Sequence, residues 1–164
     1  GKSSLINALM KADPGADELD DLEEQNAKLQ SEVADRMGAR VGTKDYGAYT
    51  IKLRLHAQVV DRFQVSPSCF YPAPHVESAV VRLERIAFGD DAAVVRAACQ
   101  IADAAFAQRR KTIRNSMKSA FDAATVDALL EACEVAPAVR GETLEPQQYL
   151  EMGRTLESLR LLSA

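Results

Sequence analysis

Three prolines, Pro67, Pro72 and Pro74, crowd into the link between two apolar, β-branched runs. Proline has no amide to donate and a fixed φ, so this link is neither helix nor tight hairpin. It reads as a rigid, extended loop joining strands near 59–65 and 76–85. Beyond residue 90 the apolar period changes from two to that of helices. Asp91 can cap a helix whose inner face is Val94, Val95, Ala98, Ile101, Ala102, Ala105 and Phe106. Lys111 to Ala120 continues as a helix with Ile113, Met117 and Phe121 as its buried stripe. Asp122 opens a third helix through Leu129, Leu130 and Cys133, and Pro146 suits the first turn of a fourth carrying Tyr149, Met152, Leu156 and Leu159.

Upstream of the strands the pattern is less decisive. Gly1 to Met10 reads as helix, broken by Asp13-Pro14-Gly15. A second helix over about 18–37 starts with acids in its first turn, where the helix dipole favours them, and aligns Leu19, Leu22, Leu29 and Val33. Residues 50–58 alternate polar and apolar, which argues strand. Tyr49, Leu53, Ala57 and Val60 equally fit a helical stripe.

The chain has 164 residues and is 47 % hydrophobic, enough for one ordinary domain or a small domain plus a piece of another. No apolar run nears the roughly 20 residues of a membrane-spanning helix, and no secretory signal opens the chain. Cys69, Cys99 and Cys133 are widely spaced and odd in number, so they suggest reduced thiols in a cytoplasm and neither disulfides nor zinc. His56 and His75 are too isolated for a metal site, and no metal is expected.

The net charge of −4 argues against a nucleic-acid binder until it is divided along the chain. Residues 1–28 hold three lysines against seven acids, so residues 29–164 are neutral. Within that neutral stretch Arg109, Arg110, Lys111, Arg114 and Lys118 fall in one acid-free segment. Local field governs attraction to a phosphate backbone. Arg110, Arg114 and Lys118, spaced four apart, would share one helical face. Such a face can lie along phosphates, or it can be a solvated surface balancing neighbouring acids. Phe70-Tyr71-Pro72-Ala73-Pro74 is similarly open: a stiff loop can hold an aromatic ring ready to stack on a flipped base, or Phe70 can plug the core at a strand end.

Five ordered segments carry a resemblance. Leu29-Gln30-Ser31-Glu32-Val33-Ala34-Asp35-Arg36, Lys44-Asp45-Tyr46-Gly47, Phe70 to Val81, Phe106 to Ser116, and Arg140-Gly141-Glu142-Thr143-Leu144 before Gln148-Tyr149 follow each other in fixed order. Together they resemble the carboxy-terminal half of the ribosomal RNA adenine dimethyltransferase family (KsgA type), with its L-Q-x-E-V-A-x-R, K-x-Y-G, F-x-P-x-P-x-V-x-S-x-V-V, F-x-Q-R-R-K-T-I-R-N-S and R-x-E-x-L patterns.

The resemblance implies an α/β remnant, the last helices and final two strands of a Rossmann-like methyltransferase domain, followed by an all-α domain. On that reading residues 1–28 are a non-matching acidic helical segment, 29–88 belong to the methyltransferase domain and 89–164 form the helical rRNA-binding domain. Tyr46 to about Ala57 should then be helix. The implied reaction is dimethylation of adenine N6 in small-subunit ribosomal RNA with S-adenosylmethionine as donor. Phe70, Pro72 and Pro74 would line the target-adenine pocket. Arg109, Arg110, Lys111, Arg114, Lys118 and Arg140 would contact rRNA. The partner would be small-subunit rRNA or the small ribosomal subunit, with no DNA and no membrane.

The sequence departs from that family at its front. None of Asn7, Asn26 and Asn115 precedes x-Pro-Tyr, and no G-x-G-x-G loop exists to cradle a cofactor. The chain is therefore expected to lack the donor-binding and catalytic half, and an alternative is an inactive rRNA- or ribosome-binding fragment. Gly1-Lys2-Ser3-Ser4 resembles the end of a GTPase phosphate loop, and Asp35-Arg36-Met37-Gly38 fits D-x-x-G. A phosphate-loop nucleotide-binding protein is the remaining alternative, although no N-K-x-D segment accompanies them.

Overall fold

The computed structural model describes residues 32–73, 78–86 and 88–163. Residues 32–37 are helical. Then follow α1 (Ala48–Arg54), β1 (Ala57–Val65), a 3-10 turn (Pro67–Cys69) and β2 (Ser78–Arg85). The rest is helical: α2 (Ala92–Phe106), α3 (Ile113–Met117), α4 (Ala123–Ala132), a second 3-10 turn (Gly141–Thr143) and α5 (Pro146–Ser163). The chain divides into two compact units, residues 1–34 with 62–81 and residues 35–61 with 82–164. The expected helix over Gly1 to Met10, the first part of the 18–37 helix, the phosphate-loop resemblance, Pro74 and the first two residues of the second expected strand lie outside the described residues.

The ambiguity at 50–58 resolves as helix followed by strand. Thr50 is fully buried; its Oγ1 accepts from the Gly47 amide at 3.3 Å and donates to the Arg36 carbonyl at 2.7 Å. That closes the first turn of α1. The buried face is Tyr46, Ile51 and Leu55, whereas Tyr49 is 45 % exposed. The stripe Tyr49, Leu53, Ala57, Val60 is thus displaced from the true one, because Ala57 already begins β1.

β1 and β2 pair only with each other among the described residues. The Ile86 amide donates to the His56 carbonyl at 2.9 Å, so the end of β2 lies beside the start of β1. Phe63, Val80 and Leu83 are exposed on this two-stranded ribbon.

A second correction concerns the basic helix. It does not run from Lys111 to Ala120; α3 has only five residues. Thr112 is extended (φ −62°, ψ 154°), and its Oγ1 accepts from the Asn115 amide at 3.4 Å. The Ile113 amide leaves the helical ladder and donates to the Val139 carbonyl at 2.7 Å. A capping threonine with a diverted next amide forces the helix to begin at 113. Arg109, Arg110 and Lys111 therefore sit on the turn before α3, and the four-residue spacing does not align Arg110 with Arg114. The stripe Ile113 and Met117 is fully buried nonetheless.

The core of this unit is α2 against α5. Asp91 caps α2, its Oδ1 accepting from the Ala93 and Val94 amides, both at 3.0 Å. Ala97, Ala98, Ile101, Ala102, Ala104 and Ala105 are buried on it. These small side chains let α5 come close at Gly153, where an added Cβ would lie 2.7 Å from the Val94 carbonyl oxygen and 2.9 Å from the Ala98 amide. Arg154, next in line, holds Asp90 ahead of α2 through two hydrogen bonds of 2.7 and 2.8 Å. Ser116 closes the other end of α2: its hydroxyl donates to the Ala104 carbonyl at 2.7 Å and accepts from the Gln108 amide at 3.0 Å. No buried side-chain nitrogen or oxygen among the described residues lacks a partner.

Gly153→Ala should lower stability by about 1–3 kcal/mol, the usual cost of overpacking. Alanine's advantage of about 1 kcal/mol in a helix does not offset contact with backbone atoms that cannot rotate away. Urea unfolding followed by helical circular dichroism checks this; a stabilised variant would mean that the helices separate without cost.

Candidate nucleic-acid interface

Burial explains how three distant segments meet. Tyr46 and Tyr149 are fully buried, and a buried hydroxyl needs a partner. Tyr46 donates to the Leu144 carbonyl at 2.6 Å and Tyr149 to the Gly141 carbonyl at 2.8 Å. Burial pushes both phenols well above their usual range, so both remain donors. The Gly42 amide donates to the Glu142 carbonyl at 2.8 Å. Residues 40–47 and 140–144, the K-x-Y-G and R-x-E-x-L segments, are thereby held side by side.

Arg109 joins them from the third segment. Its guanidinium donates to the Tyr46 carbonyl at 2.9 Å, the Thr43 carbonyl at 3.1 Å and Glu142 Oε2 at 3.2 Å. Of the neighbouring acids that could have balanced this segment, Asp103 is the nearest preceding one in the chain. Asp103 instead pairs with Lys52 at 2.6 Å. Glu142 carries no suggestion of this pairing in the sequence beyond its place in R-x-E-x-L, and the backbone carbonyls of Thr43 and Tyr46 carry none at all.

The remaining basic residues fall into two groups. Arg114 is engaged: Nε and one terminal nitrogen donate to Asp127 at 2.6 and 2.8 Å. This pairing raises the Arg114 pKa and lowers that of Asp127. Arg140 stands 3.9 Å from Glu142, a looser pairing shared with Arg109. Arg110, Lys111 and Lys118 are exposed, and their side chains make no hydrogen bond or ion pair among the described residues. Of six cations on one stretch of chain and one turn, the fold thus commits Arg109 to carbonyls and a carboxylate, leaves Arg114 and Arg140 in exposed ion pairs, and leaves Arg110, Lys111 and Lys118 facing water.

The proline-rich loop belongs to the other unit. Phe70 is 45 % exposed and Tyr71 fully so, which removes the reading of Phe70 as a core plug among the described residues. The 3-10 turn before it is capped by Ser66, whose Oγ accepts from the Ser68 amide at 3.3 Å. Pro72 is exposed, and Pro74 lies outside the described residues.

The described residues do not fit S-adenosylmethionine. Gly42, Gly47 and Gly89 face open space, and Gly141 and Gly153 are packed against α2, so none of these five glycines opens a cradle for a nucleoside or its methionyl tail. Among the described residues no group of His, Cys, Asp or Glu is placed to hold a metal. No described helix is long and apolar enough to cross a membrane.

The geometry separates Arg109 from its neighbour. Arg109→Ala should cost about 1–3 kcal/mol, because it strips two carbonyls and a carboxylate of a charged donor, and amide exchange at Gly42 and Tyr46 should quicken. Arg110→Ala should change neither. Denaturation midpoints and hydrogen exchange decide it; equal effects of the two variants would deny Arg109 its bracing role.

The model for the ribosomal RNA adenine dimethylase family matches residues 19–158. The chain is 37 % identical over 140 residues to ribosomal RNA small subunit methyltransferase A of Methylococcus capsulatus, covering 85 % of this chain and 53 % of that protein. It is 38 % identical over 134 residues to the protein of the same name from Chlamydia trachomatis, covering 80 % of this chain and 48 % of the relative. The chain thus spans about half the length of the curated relatives it matches. The crystal structure of a dimethyladenosine transferase from Plasmodium falciparum superimposes with a TM-score of 0.63 at 22 % identity, over 79 % of this chain and 55 % of that one, a likeness of fold. By the extent of the family match and the identity to these relatives, the chain belongs to the ribosomal RNA adenine dimethylase family.

Proposed function

We propose that this chain is the RNA-docking part of an enzyme that dimethylates adenine N6 in small-subunit ribosomal RNA, and that the 164 residues by themselves bind rRNA without transferring methyl groups. The observation that carries the reading is the family match over residues 19–158. It is supported by the position of Arg110 and Lys111, which project beside the Arg109 hub with no internal partner among the described residues. Arg140 and Lys118 extend the same charge. Arg114 joins an RNA contact only by leaving Asp127, an exposed pairing screened by solvent and therefore easily exchanged.

Phe70 is the chain's contribution to the reacting base. It is half-exposed at the foot of a stiff loop, as a stacking ring must be. Pro72 and Pro74 restrict the backbone around it. S-adenosylmethionine supplies the methyl groups in the proposed reaction. The described residues give it no seat, so the donor and the acceptors that orient the adenine amine come from elsewhere than these residues.

Incubated with labelled S-adenosylmethionine and undermethylated small subunits, this chain should give no transfer above a no-protein control; clear transfer would refute the fragment reading. The chain should also bind small-subunit rRNA with a salt-dependent affinity. Arg110→Ala with Lys111→Ala should lower the logarithmic salt slope by about 0.7–0.9 for each phosphate that the variant no longer neutralises. Unchanged slope and affinity in filter binding would move the RNA surface elsewhere.

A further inference from the structure

We infer that the rRNA surface extends onto the loop before α1, where Arg40 and Lys44 are phosphate contacts alongside Arg110 and Lys111; this rests on the rRNA-docking reading above.

The loop is unusually well tied. The Arg54 guanidinium donates to the Ala39 carbonyl at 2.6 Å, and the Thr50 hydroxyl to the Arg36 carbonyl at 2.7 Å. The Gly42 amide reaches Glu142, and the guanidinium of Arg109 takes the carbonyls of Thr43 and Tyr46. Thr43 folds back on Arg40, both its amide and its hydroxyl donating to the Arg40 carbonyl, at 3.1 and 2.7 Å. Gly42 takes a φ of 81°, which lets the turn close. Every anchor in this loop uses backbone groups. The side chains of Arg40 and Lys44 take no part in it; both are exposed, with no hydrogen bond or ion pair among the described residues.

Two long cations on a fixed turn have a reduced ordering cost when they bind, which is what a docking surface needs. Their neighbours set the sign of the field. Lys44 follows Thr43, which Arg109 holds; Arg110 and Lys111 follow Arg109; Arg140 faces Glu142. Within residues 40–47, 109–111 and 140–145 these six cations stand against three carboxylates, Asp45, Glu142 and Glu145, and Glu142 is already neutralised by Arg109 at 3.2 Å. The excess is positive and spread over three segments, so the matching ligand is an extended polyanion and not a single phosphate. An RNA backbone has that chemistry.

The test is filter binding of in vitro transcribed small-subunit rRNA to the full chain across a salt series. Arg40→Ala with Lys44→Ala should lower the logarithmic salt slope by about 1.4–1.8 if both side chains contact phosphate, with circular dichroism unchanged. Arg40→Lys with Lys44→Arg should retain the slope, since charge and reach are kept. If Arg110→Ala with Lys111→Ala lowers the slope and the Arg40/Lys44 pair does not, the loop is overturned as a contact while the docking reading stands. If neither pair changes slope or affinity, the docking reading itself falls, and this inference with it.

Discussion

The guanidinium of Arg109 holds together three stretches of chain that are far apart in sequence. It donates to two carbonyls of the 43–46 turn and to the carboxylate of Glu142, while Tyr46 and Gly42 complete the circuit to residues 142–144. Arginine suits the task because its planar fork offers several donors at fixed angles and its charge is never lost. A lysine would reach one acceptor well and the others poorly. That one side chain ties the turn before α3 to the turn before α1, which Arg54, Thr50 and Tyr46 also anchor.

That arrangement commits a cation of an RNA-attracting sequence to architecture. Arg109 and Arg110 are adjacent and chemically identical, yet one faces inward to carbonyls and the other outward to water. A charge-assisted hydrogen bond to a partly buried carbonyl is worth about 1.5–3 kcal/mol, whereas an exposed ion pair such as Arg114 with Asp127 is screened by solvent and contributes little. The first is kept under most conditions. The second yields readily to a competing phosphate. The basic segment thus grades from fixed scaffold, through an exchangeable pair, to cations free of internal contact among the described residues.

The platform beneath is equally specific. Alanines line the inner face of α2 and Gly153 stands opposite them on α5, so the two helices meet nearly backbone to backbone. Close packing there leaves no room for adjustment, and Ser116 and Asp91 secure the two ends of α2 with hydrogen bonds. A rigid helical pair makes a turn at its end rigid as well, and a rigid turn lets adjacent arginines point in opposite directions reproducibly.

Much of this was legible in the sequence, for reasons of local physics. Helical periodicity, with capping aspartates for α2 and α4 and Pro146 for α5, located these helices, because amphipathic spacing and end signals are short-range effects. The proline cluster separated the two strands. The order of the five segments indicated the family, which the comparisons bear out. Local pattern could not decide between helix and strand at 50–58, since the deciding contacts run from Thr50 to Arg36 and from Tyr46 to Leu144. Nor could it place the start of α3, which depends on the Ile113 amide meeting the Val139 carbonyl. By itself the sequence determined where charge, stiffness and helical faces lie along the chain. Only the tertiary structure decided which cations turn inward and which face solvent, because that choice is made by carbonyls and a carboxylate brought together from residues 43, 46 and 142, and no local pattern encodes them.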